Sequence, residues 1–209
     1  TWIYTYLMGS LNGLSFFILY SHCYADFFNK CSQVLQRMFT KHRYNSLVEK
    51  GFMKKAQIID VYTSAGNINF ALNFQFQMQE IGIQVNVPVD EYQQRLIAAS
   101  SNENHLAIII TFGGRGILSD ILPRILHKVK TPIVLISSYD YTFKDFDADY
   151  QLYISPYENH YKKISSFSTR LSILYILDVL YTCYFKLDYQ ENIEKKLAYY
   201  NNIVEGTIK

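Results

Sequence analysis

The amino-acid sequence predicts a doubly wound α/β domain over residues 56–209, a five-stranded parallel sheet with helices on both faces, preceded by a helical extension over residues 1–55. Three observations carry this expectation. Short runs such as Ile58-Ile59-Asp60-Val61-Tyr62 and Leu106-Ala107-Ile108-Ile109-Ile110 are almost wholly apolar, as strands covered on both faces must be. The stretches between them place apolar residues three and four apart, the rhythm of amphipathic helices. Strand and helix alternate, and within one sheet alternation means crossover connections and parallel strands.

The elements follow in order. From Ala25 to about Lys55, Phe27, Phe28, Val34, Leu35, Met38 and Phe39, then Leu47, Val48 and Phe52, recur at helical intervals. They predict two helices joined near Lys41-His42-Arg43, with Asn45 capping the second. The first strand, Ile58–Tyr62, ends at the turn residues Ser64-Ala65-Gly66-Asn67. A helix carrying Phe70, Ala71, Phe74, Met78 and Ile81 stops at Gly82. Ile83–Val87 reads as the second strand, and Asp90 caps a helix running to about Ser100. The third strand, Leu106–Ile110, enters the loop Thr111–Gly116, from which a helix carries Ile117, Leu118, Ile121, Leu122, Ile125, Leu126 and Val129. A fourth strand, Pro132–Ile136, ends at the turn Ser137-Ser138, and Tyr150–Ile154 is the fifth. The closing helix, Ser168 to about Lys186, is apolar on more than one face, which predicts a second partner for it in a homodimer. Asp178 interrupts that face and is expected to hydrogen-bond across a subunit or domain contact. A last helix runs from Gln190 to about Val204.

Composition narrows the function classes. With 209 residues, 49% hydrophobic and 18% charged, the chain can bury a core without disulfides or metal, and 19 Tyr and 14 Phe exclude a disordered polar chain. A formal charge of +2, scattered in short alternations, forms no stripe that would track a nucleic-acid backbone. Cys23, Cys31 and Cys183 match no metal spacing and read as free thiols of a cytoplasmic protein. His22, His42, His105 and His127 are dispersed, so no metal is expected. Residues 1–25 contain no Asp, Glu, Lys or Arg and are long enough to span a bilayer. Ser10, Asn12, Ser15 and two glycines interrupt them, and neither a basic flank nor a cleavage signature is present; the expectation is a segment that packs on another subunit or a missing domain. The chain starts at Thr1 without Met, so a longer parent protein is expected.

Ligands of parallel sheets bind beyond the carboxyl ends of the strands, where Ser64–Asn67, Thr111–Gly116 and Ser137-Ser138 fall. The loop Thr111-Phe112-Gly113-Gly114-Arg115-Gly116 is the strongest local signal. Its glycines let backbone amides approach an anion, Thr111 offers a hydroxyl, and a helix N-terminus near Gly116 would add partial positive charge. The loop matches neither a Walker A motif nor a dinucleotide fingerprint, and a tight turn that binds nothing reads equally well locally. Arg115 reads either as a phosphate contact or as a solvated loop-tip arginine.

In order and spacing, from about Leu35 to Leu197, the chain resembles the sugar isomerase (SIS) domain as carried by RpiR/MurR-type transcriptional regulators. The family's first turn, Gly-x-Gly-Ser-Ser, corresponds to Thr63-Ser64-Ala65-Gly66-Asn67. Its Ser-x-Ser-Gly-x-Thr after the third strand corresponds to Thr111–Gly116, its later Thr-Ser turn to Ser137-Ser138, and its Ala-Asp to Ala148-Asp149. Ser166-Phe167-Ser168-Thr169-Arg170 resembles the Ser-Arg element that opens the last helix. Gly113 and Gly116 replace two of the family's phosphate-gripping hydroxyls, and Gly66-Asn67 replaces its serine pair, so the site is degenerate.

The resemblance implies a flavodoxin-like strand order and a phosphosugar effector. The residues implied to hold it are Ser64, Gly66, Asn67, Thr111, Phe112, Gly113, Gly114, Arg115, Gly116, Ser137, Ser138 and Ser168, with no cofactor. It further implies a ligand-sensing dimerisation domain of a carbohydrate-responsive regulator rather than an enzyme, soluble in the cytoplasm, with DNA contacted only through an N-terminal helix-turn-helix domain absent from this chain. Two alternatives stay open. One is a sugar-phosphate aldose-ketose isomerase with Glu158 or His160 as its base; the other is an oligomerisation scaffold that binds no sugar.

Overall fold

The computed structural model describes residues 57–154 and 166–207, all within a compact unit spanning 41–209. The extension expected over 1–55, with Cys23 and Cys31, lies outside the described residues, as do Glu158 and His160. Five strands, β1 (Ile58–Thr63), β2 (Gln84–Asn86), β3 (His105–Ile110), β4 (Ile133–Ser138) and β5 (Tyr150–Ile154), form one sheet in the order β2-β1-β3-β4-β5. Every neighbouring pair is parallel, as predicted. The helices are α1 (Ile68–Gln79), α2 (Glu91–Ser100), α3 (Ile121–Lys128), α4 (Phe167–Leu187) and α5 (Tyr189–Thr207).

The local chemistry fixes the ends of these elements. The Asp90 carboxylate caps α2 by accepting the Gln93 N–H at 2.8 Å. Past the end of α1, Gly82 takes φ +78°, its N–H bonds to Gln79 O, and the Ile83 N–H bonds to Met78 O. That paired pattern needs a left-handed residue, which explains the glycine.

Strand alternation divides the core. Tyr62, Ala107, Ile109, Ile133 and Leu135 pack with Ala98 of α2 and Leu122 and Leu126 of α3 on one face. On the other, α1 buries Ala71, Phe74 and Met78, and α4, packed against it, buries Ile173, Ile176, Leu177 and Leu180. Each such buried aliphatic side chain stabilises the fold by about 1.5–3 kcal/mol. Cover for the rest of α4 comes partly from α5, through the Phe185–Tyr189 ring contact. Lys196 of α5 pairs with Glu80 at 2.7 Å, and the Tyr200 hydroxyl donates to the same carboxylate at 2.7 Å. Burial raises the Glu80 pKa, but the hydrogen bonds from Lys196 and Tyr200 and the Lys196 charge outweigh it and hold that carboxyl below its ordinary value. No described helix is long and apolar enough to cross a membrane.

Four details differ from the sequence expectation. First, β2 is shorter than Ile83–Val87, because β1 offers it partners only at Ile58, Ile59 and Asp60. Second, the α-helix expected to start near Gly116 starts at Ile121: Gly116–Ser119 is a 3-10 turn, and Asp120, at φ −136° and ψ −65°, breaks the path between them. Third, Ser137 and Ser138 are the last residues of β4, paired with Tyr153 and Ile154, rather than a turn. Fourth, Asp178 accepts a hydrogen bond from Gln77 Nε2 at 3.1 Å, an intrachain contact between α1 and α4.

A buried polar clasp ties three strands together. Asp60, fully buried in β1, accepts from Asn86 Nδ2 of β2 at 2.7 Å and meets His105 Nδ1 of β3 at 2.8 Å. Register is thereby fixed on both sides of β1, since a slip would strand a buried carboxylate. Asp60→Ala leaves the Asn86 amide and the His105 ring without their acceptor and is expected to destabilise the domain by roughly 3 kcal/mol, with Asp60→Asn costing less. Urea denaturation measures this; a cost below about 1 kcal/mol for Asp60→Ala would remove the clasp from the account.

Candidate functional site

The chain leaves β1 toward β2 on one side and later returns to β3 on the other, so the direction of winding reverses between β1 and β3. At such a switch point the loops beyond the two strands part and leave a crevice at their carboxyl ends. A cleft of about 390 Å³ opens there, the size of a small-molecule site. The β1 loop lines it with Ser64, Gly66 and Asn67, the β3 loop with Thr111, Phe112, Gly113 and Arg115, and the following turn with Leu118. The start of α4 closes it with Ser166, Thr169 and Arg170.

Each wall is held by its own hydrogen bonds. After β1, the Asn67 N–H donates to Ser64 O at 2.9 Å and Asn67 Nδ2 approaches Ser64 Oγ at 3.4 Å, folding a single 3-10 turn before α1. Ser64 Oγ is an acceptor in that contact, which leaves its O–H to donate. After β3, the Thr111 N–H bonds to Ile136 O and the Ser138 N–H to Phe112 O, extending the β3–β4 ladder into the loop. The Gly114 N–H then turns inward to Thr111 Oγ1 at 3.2 Å. That amide is committed to the loop's own shape.

Glycine serves two different ends in this loop. A Cβ added at Gly113 or Gly66 would meet nothing within 4 Å, so at both positions the backbone borders open space. Gly114 has φ +66°, and a Cβ there would overlap the ring of Tyr141. Tyr141 is half-buried, and its hydroxyl lies 3.4 Å from Ser119 O. Burial, then the Asp120 charge, raises the phenol's pKa, so it stays neutral and able to donate at physiological pH. Behind it an aromatic series runs through Phe143 and Phe146 to the His127 ring of α3. Tyr141 thus sets the back of the loop, and Gly114 is the residue that lets it come close.

Of the residues expected to contact a ligand, Ser64, Gly66, Asn67, Thr111, Phe112, Gly113 and Arg115 are brought together on this cleft. Gly114, Gly116, Ser137, Ser138 and Ser168 are not among its lining residues. Ser137 is fully buried, accepts from Gln151 Nε2 at 3.0 Å and lies 3.2 Å from Tyr141 O, so its hydroxyl is engaged inside the protein. Four lining residues, Leu118, Ser166, Thr169 and Arg170, were not among those expected. For three of them a signal existed: positions 166, 169 and 170 share one helical face, and residue 168 lies off it. Among the described residues the lining holds two arginines and no Asp, Glu or His. Among the described residues no cluster of His, Cys, Asp or Glu is arranged to hold a metal ion.

No protein-family model matches the chain, and no curated protein matches it in sequence. Solved structures do match it in fold. The chain is similar to the Vibrio vulnificus NanR protein complexed with ManNAc-6P, with a TM-score of 0.68 and 14% identity over 85% of this chain and 67% of that one. It is similar to the sugar isomerase domain of an RpiR transcription factor from Sphaerobacter thermophilus, with a TM-score of 0.68 and 13% identity over 90% of this chain and 98% of that one. The fold is that of a sugar isomerase domain. Enzymes share it too: phosphoheptose isomerase from Neisseria gonorrhoeae matches with a TM-score of 0.57 and 12% identity over 79% of this chain and 97% of that one.

Gly114→Ala is expected to destabilise the domain by about 2 kcal/mol or more, from left-handed strain plus the overlap with Tyr141. Gly114→Ala/Tyr141→Ala should cost less than the sum of the two single changes, because the overlap is then gone. Urea titrations of the three variants check this, and simple additivity would contradict the packing role given to Gly114.

Proposed function

We propose that the domain binds a phosphorylated sugar in this cleft and serves as the ligand-sensing, dimerising part of a carbohydrate-responsive transcriptional regulator. The donor set of the cleft carries the ligand class: the hydroxyls of Ser64 and Thr111, the Asn67 amide, open backbone at Gly66 and Gly113, and Arg115, with no carboxylate among the described lining residues. A phosphate monoester brings about −1.5 to −2 charges and three acceptor oxygens, and these groups answer both demands. A sugar ring then extends toward Phe112 and the start of α4.

Two similar structures support the regulatory half of the reading, one from a transcription factor and one holding a sugar phosphate. In this reading Ser137, Ser138 and Ser168 shape the site from behind. A homodimer forms through α4, where Phe167 and Leu171 stay 54% and 42% exposed, and ligand binding biases that dimer. DNA is contacted by a part of the parent protein outside this chain. The likeness to phosphoheptose isomerase favours a second reading, an aldose-ketose isomerase with Glu158 or His160 as the base.

A thermal-shift panel of hexose, pentose and amino-sugar phosphates is expected to contain at least one compound that raises Tm by several degrees. Arg115→Ala should weaken that compound's binding about ten-fold, the loss of one charge-assisted contact. A flat panel would contradict sensing, and turnover of the stabilising sugar by a concentrated sample would replace the regulator by the isomerase.

A further inference from the structure

Helix α2 carries its polarity inverted. The residues it buries are Gln94 and Ala98, whereas Tyr92 and Leu96, on the opposite side, stay 71% and 52% exposed. Val89, just before the helix, is 57% exposed. A helix that meets only water on its outer side is expected to be polar there. This exposure does not come from a fraying end. The Asp90 carboxylate accepts the Gln93 N–H at 2.8 Å, Gln93 Oε1 accepts the Val89 N–H at 3.2 Å, and Gln94 Nε2 ties the inner side to Thr63 O at 3.0 Å. The outer face is therefore presented on a fixed helix.

The charges beside this stripe decide what covers it. Glu91 and Arg95 are exposed, four residues apart, and flank Tyr92 and Leu96 on one side. At the same spacing Asp120 pairs with Arg124 at 2.9 Å and Glu191 with Lys195 at 2.6 Å, yet among the described residues neither Glu91 nor Arg95 forms an ion pair. An acid toward the start of a helix and a base toward its end complement a second copy running the other way. When two copies of α2 pack antiparallel about a two-fold axis lying in the contact plane, the same flank of each meets. Glu91 then comes opposite the partner's Arg95, twice by symmetry, and Tyr92 opposite the partner's Leu96. A parallel pair would set like charges against each other.

We infer that the outer face of α2, with Val89, Tyr92 and Leu96 at its centre and Glu91 and Arg95 on its flank, is a surface that pairs antiparallel with α2 of a second copy of this chain. It lies across the sheet from α4, so it is separate from the contact proposed there. A protomer that uses both has two two-fold interfaces, the arrangement from which tetramers are built. The ten residues of α2 rise about 15 Å, which makes this the smaller and weaker contact.

Sedimentation velocity of the 209-residue chain over a range of concentrations tests this, with Tm measured on every variant to separate association from folding. Leu96→Glu is expected to halve the limiting mass and leave Tm within a few degrees. Glu91→Arg and Arg95→Glu should each weaken association ten-fold or more, because like charges then face each other. The double variant Glu91→Arg/Arg95→Glu restores opposite charges and should recover the association, as should an equimolar mixture of the two single variants. A halving from tetramer to dimer supports both contacts; a halving from dimer to monomer supports α2 and removes the α4 contact. An unchanged mass for Leu96→Glu refutes the inference. So does a steep fall in its Tm at unchanged mass, which would mean that the face is covered within one protomer. Failure of both the double variant and the mixture to recover would refute the antiparallel pairing.

Discussion

The cleft depends on the six-residue parallel pairing of β1 with β3. Ile58 lies opposite His105 and Thr63 opposite Ile110, so both strands end level and their loops emerge side by side. The pairing is central in the sheet and buried on both faces, which makes its backbone hydrogen bonds costly to expose. The Asp60 clasp adds directional specificity that apolar packing lacks, since aliphatic side chains would accept a shifted register more readily than a buried carboxylate with two fixed partners. Because β2 lies on the other side of β1, the chain must reverse direction between β1 and β3. That reversal opens the space which Ser64–Asn67 and Thr111–Arg115 then line.

The loops around this space are built more from backbone than from side chains. Gly66, Gly113 and Gly114 contribute amides or close approach but no hydroxyls, and the Gly114 amide is spent on Thr111. A neutral hydrogen bond adds about 1 kcal/mol net, whereas a charge-assisted one adds roughly 1.5–3 kcal/mol. One arginine can therefore offset about two missing hydroxyls.

Much of this was legible in the sequence. β1 and β3 could be read because strands covered by helices are nearly continuous apolar runs, and the α2 and α1 ends because Asp90 and Gly82 carry mechanisms that need those residue types. The start of α3 was not legible: Ile117 and Leu118 are buried in a 3-10 turn whose spacing imitates the helix that follows, and only the backbone of Asp120 separates the two. Neither was the Asp60–His105 contact, whose partners lie 45 residues apart and meet only through strand pairing. In the site, the glycine-rich β3 loop was readable from composition, whereas the α4 wall required knowing which face of the helix turns inward. Helical period places Thr169 and Arg170 with Ser166, and residue 168 away from them.

The central claim is that the ligand's phosphate sits in the backbone cradle at the β1–β3 switch point. The most direct test is an amide-resolved NMR titration of the 15N-labelled protein with the sugar phosphate that stabilises it most. The largest shifts are expected at the amides of Gly66, Asn67 and Gly113, with smaller ones at Thr169 and Arg170 and none at the opposite sheet edge near Ile58 and His105. Saturable binding whose shifts leave Gly66 and Gly113 unmoved would contradict the claim.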